Sequence, residues 1–412
     1  MAEFYLGLDF GTSGARACVL DQAGAIVHES RTRYAEPAHP HHWRNALFDL
    51  LGAIPLEIRR DLAALAIDGT SGTLLVTDAQ LEPLGPALLY NDPRAEQEAA
   101  LVGNPQFGAA SGLAKRIWLA RHFPDAAFCF HQADWLTALL TGKPGITDYH
   151  NALKSGFDVE KLVWPDWVTA LPGGHWQQAV VTPGETIGSL NPEIAQRFGL
   201  DPACIARAGT TDSIAAFIAS GVSRPGEAVT SLGSTLVLKL LSDKRVDLPS
   251  NGVYSHRYGD LWLAGGASNT GGAVLRQFFS NDALTLLSAQ MQPDCPTGLE
   301  YYPLPCPGER FPINDAALVP RMEPRPASDM LFLQGLFEGM ARIEALGYAA
   351  MTAAGAPALI RVSSAGGGAG NVAWTRIRHL QLRVPVEQAS AIEAATGAAS
   401  LAKDGSRLLL NR

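Results

Sequence analysis

Short apolar runs separated by polar turns dominate the beginning of the chain and predict strands rather than helices. Residues 5–9 form such a run, which ends in a carboxylate, and residues 15–20 and 25–30 form the next two. Because only a few residues separate these runs, the three strands are predicted to form an antiparallel meander. A further run, residues 62–68, again ends in a carboxylate.

The second half of the chain repeats this pattern. Apolar runs predict strands at residues 227–230, 236–241, 252–258, 261–264 and 359–363. Apolar residues three and four apart predict helices at residues 43–51, 113–122, 134–140, 192–198, 213–220, 271–279, 332–351 and 391–401. Residues 148–167 are predicted to be largely loop. The pattern therefore predicts two copies of a mixed sheet with helices, joined near residue 220.

The turn between the first two strands carries the first sign of chemistry. Gly11, Thr12, Ser13 and Gly14 lead directly into a strand, with no helix after them. This excludes Rossmann and Walker loops, in which the glycines open a helix that holds phosphate. Backbone N–H groups and two hydroxyls in a tight turn can instead form a nest for anionic oxygens. The alternative is an ordinary hairpin turn whose glycines serve only the backbone.

A second turn of the same kind favours the phosphate interpretation. Residues 231–235, with the sequence SLGST, join two predicted strands in the second half of the chain. Two turns of glycine and hydroxyl residues, one in each half, predict a pair of phosphate-binding elements. Asp9, just before the first turn, could hold a hydrated Mg²⁺ through a water molecule.

Composition narrows the class of protein. The chain has 412 residues, more than one hydrophobic core usually serves, so two domains are expected. Its 47% hydrophobic and 17% charged residues are ordinary for a globular protein. A net charge of −8 argues against nucleic acid or an anionic membrane as a partner. The five cysteines are scattered and never spaced as a metal site, which predicts a reducing cytoplasm.

Two further sequence features bear on location. The first predicted strand begins almost at the N-terminus, so no targeting segment is expected. No run approaches the roughly 20 apolar residues of a membrane-spanning helix.

Six segments, in this order, resemble the FGGY family of carbohydrate kinases. They are DFGTSG (residues 9–14), IDGTSGT (67–73), AGTTDS (208–213), SLGST (231–235), GERFP (308–312) and AGGG (365–368). The resemblance covers essentially the whole chain and is strongest to the compact D-ribulose kinases of plants and cyanobacteria. It implies an α/β fold of two actin-like, hexokinase-like (ribonuclease H-like) domains with a catalytic cleft between them.

The resemblance also implies a division of the chain. Residues 1–219 correspond to the N-terminal FGGY domain, on the sugar and phosphate side, and residues 220–392 to the C-terminal domain, on the nucleotide side. Residues 393–412 are expected to form a C-terminal helix that packs back on the first domain.

Asp212 is the predicted general base. It lies in a turn between a predicted strand and a helix N-terminus, where the helix dipole favours an ionised carboxylate. From the residues alone, Asp212 could equally cap the helix that begins beside it. The family's catalytic aspartate falls on this position, and phosphoryl transfer needs such a carboxylate to take the proton of the attacking hydroxyl.

The remaining site residues follow from the same resemblance. The sugar is expected at Asp9, Ser71 and Asp212, since carboxylates and hydroxyls match the donors and acceptors of a polyol. ATP is expected at Thr12, Ser13, Gly233, Ser234, Thr235, Gly367, Gly368 and Asn371, and Mg²⁺ at Asp9, through water. Trp374 could close over adenine or simply pack in the core. On the adenine side, residues 376–379 depart from the family pattern.

The sequence therefore predicts an ATP- and Mg²⁺-dependent kinase of D-ribulose, acting as a monomer or homodimer. D-xylulose, ribitol and glycerol are alternative substrates of the same machinery. The chain lacks the Met-His-Gly sequence that xylulokinases carry near Ser71, which counts against D-xylulose. A sugar-independent ATPase is the alternative of another class.

Overall fold

The computed structural model of the chain describes residues 3–389, 391 and 393–409, and these form two compact units. Unit 1 comprises residues 3–219 and 393–408, and unit 2 comprises residues 220–389, 391 and 409. Residue 392 of the predicted last helix and residues 410–412 of the predicted C-terminal segment lie outside the described residues.

Unit 1 combines a six-stranded sheet with helices and two small two-stranded sheets. Its strands are β1 (Phe4–Phe10), β2 (Gly14–Leu20), β3 (Ile26–Arg33), β4 (Leu62–Gly69), β5 (Leu74–Thr77), β6 (Phe128–His131), β7 (Ile146–Asp148), β8 (Ala179–Val181), β9 (Thr186–Ser189) and β10 (Ile205–Thr211). Its helices are α1 (Pro40–Ala53), α2 (Leu56–Arg59), α3 (Glu96–Val102), α4 (Gly112–His122), α5 (Gln132–Thr141), α6 (Tyr149–Lys154), α7 (Asp166–Thr169), α8 (Pro192–Phe198) and α9 (Asp212–Ala219). A 3-10 turn spans Gly174–Trp176.

The main sheet of unit 1 has the order β3-β2-β1-β4-β10-β9. The hairpin strands β1, β2 and β3 are antiparallel, whereas β1, β4 and β10 run parallel to one another. Strand β1 is central and nearly continuous in apolar residues, because both faces of the sheet are covered. Because β1, β4 and β10 are parallel, their carboxyl ends lie side by side at one edge of the sheet.

Unit 2 has a sheet of its own, packed against a long helix. Its strands are β11 (Glu227–Leu232), β12 (Leu236–Ser242), β13 (Tyr254–Tyr258), β14 (Leu261–Ser268), β15 (Arg361–Ala365) and β16 (Val386–Gln388). Its helices are α10 (Gly272–Leu275), α11 (Asn281–Ser288), α12 (Asp329–Ala353) and α13 (Val372–Leu382), with a 3-10 turn at Pro249–Asn251. Helix α14 (Ala394–Asp404), which belongs to unit 1, and a 3-10 turn (Gly405–Leu409) follow in the chain.

The second sheet repeats the plan of the first. Its order is β13-β14-β12-β11-β15-β16, with an antiparallel meander on one side and the parallel strands β11, β15 and β16 on the other. The prediction of two copies of a mixed sheet is therefore confirmed. Helix α14 packs on α9, β1 and β4 of unit 1, where Gly7 and Gly397 allow close approach of the backbones.

The loop that contains the GERFP segment is ordered by a carboxylate. Glu309 is buried and accepts hydrogen bonds from the Ser268 hydroxyl (2.6 Å) and the Asn269 N–H (2.8 Å). Phe311 is fully buried against Gly266 and Gly347, neither of which has room for a side chain. The loop is thus fixed from within unit 2.

Two predicted elements are wrong in a way that matters for the site. Residues 148–167 were expected to be largely loop, but β7 ends and α6 lies within them. The helix expected at residues 271–279 is only the single turn α10. The short helices α6 and α10 are stabilised by tertiary contacts, and these cannot be predicted from the spacing of apolar residues.

In the described residues, no helix is long and apolar enough to cross a membrane.

His131 makes the stability of unit 1 depend on pH. The ring is buried at the end of β6, 3.1 Å from the Ser155 hydroxyl, and burial lowers the pKa of His131 to about 3. In an unfolded chain, a histidine has a pKa of about 6.5. Between these values the unfolded state binds more protons, so the free energy of unfolding rises with pH, by up to about 1.4 kcal/mol per unit.

Replacing this ring tests the linkage. In urea unfolding between about pH 4 and 6, His131→Gln should lose that share of the pH dependence, because the titrating group is gone. Ser155→Ala is the control, since it removes the hydrogen-bond partner but keeps the histidine, and its pH slope should match wild type. A difference between wild type and His131→Gln that does not change with pH would contradict the assignment.

Candidate active site

Three aspartates lie at the carboxyl edge of the unit 1 sheet. Asp9 near the end of β1 is directly opposite Asp68 on β4, and Asp68 is opposite Thr210 on β10. Asp212 follows two residues after Thr210, as the first residue of α9. Because neighbouring strands lie about 4.8 Å apart, the parallel register brings the three carboxyl groups into one cluster.

Asp9 and Asp68 form a pair of neighbouring carboxyl groups. Asp68 is fully buried, and no hydrogen-bond donor of the described residues reaches either of its side-chain oxygens. Burial raises the pKa of Asp68 well above its usual range, and the charges of Asp9 and Asp212 raise it further. Burial also raises the pKa of Asp9, whereas its Asp68 and Arg16 neighbours oppose that rise. Both carboxyls are therefore harder to ionise than an exposed aspartate, Asp68 more so than Asp9.

Arg16 supplies the opposing charge. Its Nη1 lies 3.3 Å from Oδ2 of Asp9 and 2.9 Å from Oε2 of Glu393, and its side chain is half exposed. The Arg16 charge opposes the rise that burial causes in the pKa of Asp9, and so favours the carboxylate form next to the first glycine turn. Asp68 itself is fully buried, so its effect on the site is exerted through the neighbouring Asp9.

The turn after β1 is a tight hairpin. The Gly11 N–H donates to the Gly14 carbonyl (3.0 Å), and the Tyr34 N–H donates to the Ser13 carbonyl (3.2 Å). Thr12 and Ser13 are exposed at its tip. A side chain on Gly14 would collide with the Thr32 carbonyl on β3. The turn thus presents two hydroxyls beside a buried carboxylate, as the sequence predicts.

Asp212 begins α9 and is half buried. Its Oδ1 accepts a hydrogen bond from the Ser213 N–H (2.6 Å), so part of its role is local to the helix start. The carboxylate also interacts electrostatically with the Lys154 ammonium and with Asp68. It therefore has a cation and a buried acid as neighbours, which an ordinary cap does not require.

Lys154 is a site residue that the sequence did not reveal. Burial lowers the pKa of Lys154, and the Asp212 charge opposes that change. The lysine stem lies against Gly72, since a Cβ built on that glycine would be 3.9 Å from the Cβ of Lys154. Lys154 thus connects Asp212 with the loop that carries Ser71. No signal in the hydrophobic spacing marks it, because it ends the short helix α6.

Helix α6 is positioned by a buried cap. Asp148 accepts hydrogen bonds from the N–H groups of His150 (2.8 Å) and Asn151 (3.3 Å) and from the Asn151 side chain (2.6 Å). His150 then lies with Nδ1 2.7 Å from the Thr210 hydroxyl on β10. This link ties α6, and with it Lys154, to the strand that carries Asp212.

Buried side chains hold the loop that carries Ser71 in place by hydrogen bonds. Gln132 accepts from the Thr70 N–H and hydroxyl, both at 2.9 Å. The fully buried Lys115 donates to the Gly72 carbonyl (2.6 Å) and the Leu89 carbonyl (2.8 Å), and burial lowers the pKa of Lys115 to about 8. Ser71 is left partly exposed at the same sheet edge as the aspartates.

In unit 2, a cavity of about 760 Å³ opens beside the second glycine turn. The Gly233 N–H donates to the Thr235 carbonyl (3.1 Å), and the start of α10 donates to the Gly233 and Ser234 carbonyls (2.9 and 3.0 Å). The cavity wall is formed by Leu232, Gly233, Ser234, Gly272, Leu275, Arg276, Asn281, Leu284, Thr285, Ser288, Ala289, Phe337, Gly367, Gly368, Gly370, Asn371, Val372, Ala373 and Trp374.

Five of the six unit 2 residues predicted for ATP line this cavity, whereas Thr235 does not. Gly367 has no atom within 4 Å of a built Cβ, so its backbone faces open space. Asn371 caps α13 by accepting from the Trp374 N–H (2.9 Å) and donates to the Ser288 hydroxyl (2.8 Å). Both ends of its amide are therefore engaged, which makes Asn371 a residue that shapes the wall.

Trp374 belongs to the wall of the cavity. It is 3% exposed and stacks on Phe337, with ring centroids 4.8 Å apart and an interplanar angle of 3°. Gly368 must lack a side chain, since its Cβ would be 2.6 Å from the indole ring. Trp374 therefore packs in the core and also lines the cavity, and its contact with adenine stays a prediction.

The departure from the family pattern at residues 376–379 has a structural explanation. Arg376 is half exposed and pairs with Asp294 (2.6 Å). Arg378 is completely buried and donates to both oxygens of Glu344 (2.6 and 2.7 Å) and to the Ser364 hydroxyl (2.7 Å). Neither arginine lines the cavity. Arg376 and Arg378 thus hold α13 against its neighbours.

Comparison with known proteins assigns the chain to a family. Residues 4–219 match the model for the N-terminal domain of the FGGY family of carbohydrate kinases, and the chain belongs to that family. A xylulose kinase from Klebsiella pneumoniae is 27% identical over 280 residues, which cover 61% of this chain and 57% of that protein. A xylulose kinase from Escherichia coli (strain K12) is 27% identical over 347 residues, which cover 76% of this chain and 70% of that protein.

The fold is shared with solved structures. A crystal structure of a xyloylose kinase from Brucella ovis superposes with a TM-score of 0.85 at 24% identity, covering 98% of this chain and 91% of that one. This likeness shows the fold, and the match of residues 4–219 to the family model confirms the family prediction. The match spans little more than half of the Klebsiella protein, so what that protein acts on is a matter for a proposal. Neither curated relative above is named for D-ribulose, and the predicted likeness to D-ribulose kinases stays a prediction.

Proposed function

We propose that the protein is an ATP-dependent sugar kinase that phosphorylates a ketopentose, D-ribulose first among them, to give the 5-phosphate and ADP. The observation that carries the proposal is the cluster of Asp9, Asp68 and Asp212 at one sheet edge, beside an exposed glycine and hydroxyl turn. Unit 1 would then be the sugar and phosphate side, and unit 2, with its cavity, the nucleotide side.

Asp212 is the general base of this reaction. Phosphoryl transfer asks the protein mainly for placement, for neutralised phosphate charge and for a carboxylate near the attacking hydroxyl. Asp212 takes the proton of the terminal sugar hydroxyl, and the nearby Lys154 ammonium favours its charged form. Thr12 and Ser13 bind phosphate oxygens through their hydroxyls and turn N–H groups, and Gly233 and Ser234 do so in unit 2.

The residues present fit one hydrated Mg²⁺. In the described part of the chain, no group of three or more His, Cys, Asp or Glu side chains could hold a metal ion. Mg²⁺ does not need one, because it keeps several waters and is commonly bound by one or two carboxylates together with substrate phosphates. Asp9 offers such a carboxylate next to the phosphate turn. When bound, the ion supplies positive charge that neutralises the phosphate oxygens.

The sugar contacts are Asp9, Ser71 and Asp212, to which the structure adds Lys154 as a neighbour. Carboxylates accept from sugar hydroxyls, Ser71 both donates and accepts, and an ammonium only donates. D-ribulose is favoured by Ser71 and by the absence of the Met-His-Gly sequence of xylulokinases. D-xylulose is the second candidate, because curated relatives of this chain are named xylulose kinase.

A substrate panel tests the proposal. Purified protein is given ATP and Mg²⁺ with D-ribulose, D-xylulose, L-ribulose, ribitol or glycerol, and ADP release is followed by a coupled assay. We expect a strong rise with D-ribulose and a weak one with the polyols. A rise with D-xylulose alone keeps the mechanism and changes the substrate. A rate of ADP release that is the same with and without each sugar contradicts the proposed kinase activity and supports a sugar-independent ATPase.

A reducing compartment such as the cytoplasm fits the thiols. All five cysteines are free, with Cys18, Cys129 and Cys204 buried and Cys295 and Cys306 exposed. Exposed unpaired thiols are typical of reducing surroundings.

A further inference from the structure

The unit 2 cavity has a single source of charge. Among the described residues that line it, Arg276 alone carries a charged side chain, and the rest are apolar residues, glycines, hydroxyls and asparagines. In the described part of the chain, no carboxylate pairs with this guanidinium, and its only side-chain partner is the Ser234 hydroxyl. The cavity therefore has an uncompensated positive charge in its wall.

Arg276 is held at a defined place in that wall. It follows the last residue of α10, and its Nη2 donates to Ser234 Oγ at 2.9 Å. Its Nη1 folds back over Gly272, where a built Cβ would be 3.1 Å away. Gly272 is itself bonded to the second glycine turn through its N–H and the Gly233 carbonyl (2.9 Å). The guanidinium, the turn and α10 thus form one connected corner of the cavity.

The chemistry of this corner suits an anion. A guanidinium has five N–H donors in a planar fork, and the Ser234 contact uses one. The others match the spacing of phosphate oxygens and can bind two of them at once. Without a carboxylate partner, the charge needs no competing ion pair to be broken before a phosphate binds.

We propose that Arg276 is a phosphate-binding residue, which holds the diphosphate or triphosphate tail of a nucleotide in the unit 2 cavity. The proposal rests on the proposed function to the extent that the cavity takes a nucleotide, and it deepens it by assigning the tail a specific cation. Arg276 sets how strongly affinity depends on the number of phosphates, whereas the neutral part of the wall binds the nucleoside.

Calorimetric titration without Mg²⁺ tests this assignment on the whole chain. Adenosine, AMP and ADP are titrated into wild type, Arg276→Met, Arg276→Lys and Arg310→Met. In wild type, affinity should rise from adenosine to ADP, and more so at low salt. Arg276→Met should weaken ADP by about 10- to 100-fold, as expected for a lost charged hydrogen bond, and leave adenosine unchanged. Arg276→Lys should fall between the two, since it keeps the charge but not the fork.

Arg310→Met is the matched control, because it removes an exposed arginine of the same unit that does not line the cavity. It should bind all three ligands as wild type does. ADP affinity that stays within about twofold in Arg276→Met overturns the proposal. Equal weakening of adenosine and ADP also overturns it, since that reports damage to the wall. A wild type that binds no adenine nucleotide overturns both this proposal and the proposed function.

The two proposals can also fail separately. If wild type phosphorylates a sugar and Arg276→Met has an unchanged KM for ATP, the result supports the proposed kinase activity. It contradicts the proposed role of Arg276. If ADP binding depends on Arg276 but no sugar in the panel is phosphorylated, the result supports the phosphate-binding role of Arg276. It contradicts the proposed kinase activity.

Discussion

Asp212→Asn is expected to lower kcat for phosphoryl transfer to the sugar by about 10²- to 10⁴-fold, the usual contribution of a general base. An amide cannot take the proton of the attacking hydroxyl. The change keeps the shape of the side chain and its ability to accept the hydrogen bond from the Ser213 N–H. It also leaves the unit 2 cavity untouched, so affinity for ADP should be that of wild type.

The helix cap is the competing explanation for Asp212. Asn is as good a cap as Asp, and loss of a cap costs only about 1 kcal/mol. A pure cap would therefore leave kcat nearly unchanged. Asp166→Asn is the matched control, since Asp166 is an exposed carboxylate in the first turn of α7 in the same unit. Residual activity within about tenfold of wild type would sink the base assignment. A parallel loss of ADP affinity would sink the division of roles between the units.

The sequence predicted those parts of the site that depend on local pattern. The run of residues 5–9 must be a strand because it is continuously apolar, and Gly11 to Gly14 must be a turn because the next apolar run begins immediately. The same logic locates Asp212 between β10 and α9. Strand ends of this kind can be found by reading one segment at a time.

Contacts between distant segments could not be predicted this way. The Asp9 and Asp68 pair exists only because β1 and β4 are parallel and in that register, and a shift by one residue would separate the two carboxyls. Lys154 reaches Asp212 because Asp148 caps α6 and His150 contacts Thr210. A helix of six residues leaves too few apolar positions for a periodic signal, although an aspartate followed by Asn151 was a usable hint of a cap.

Two buried cations could not be recognised from the sequence. Lys115 and Arg378 lie in segments that look amphipathic, and such residues are usually solvated. Each is instead completely buried and bonded to carbonyl or carboxylate oxygens. Sequence alone cannot distinguish a cation that meets a partner in three dimensions from one that faces water. Arg378 offers the second large effect that can be measured.

Arg378→Met is expected to lower the free energy of unfolding by about 3–5 kcal/mol, because it leaves a buried carboxylate without its cation. Burial acts to lower the pKa of Arg378, but the charge and hydrogen bonds of Glu344 outweigh it and raise the pKa above its usual value. Glu344 also accepts from the Thr230 hydroxyl (2.5 Å) on β11. One arginine therefore joins α13, α12 and the sheet.

Urea unfolding of unit 2 measures this cost, with Arg376→Met as the control. Arg376 is on the same helix but half exposed, and an exposed pair such as Arg376–Asp294 contributes only about 0–1 kcal/mol. A double change, Arg378→Met with Glu344→Leu, should recover much of the loss, since it removes the unpaired charge as well. Similar losses for the two single variants would contradict a buried pair. Because Asn371 caps α13 and Trp374 lies in its first turn, Arg378→Met should also weaken ADP binding, whereas the double variant should largely restore it.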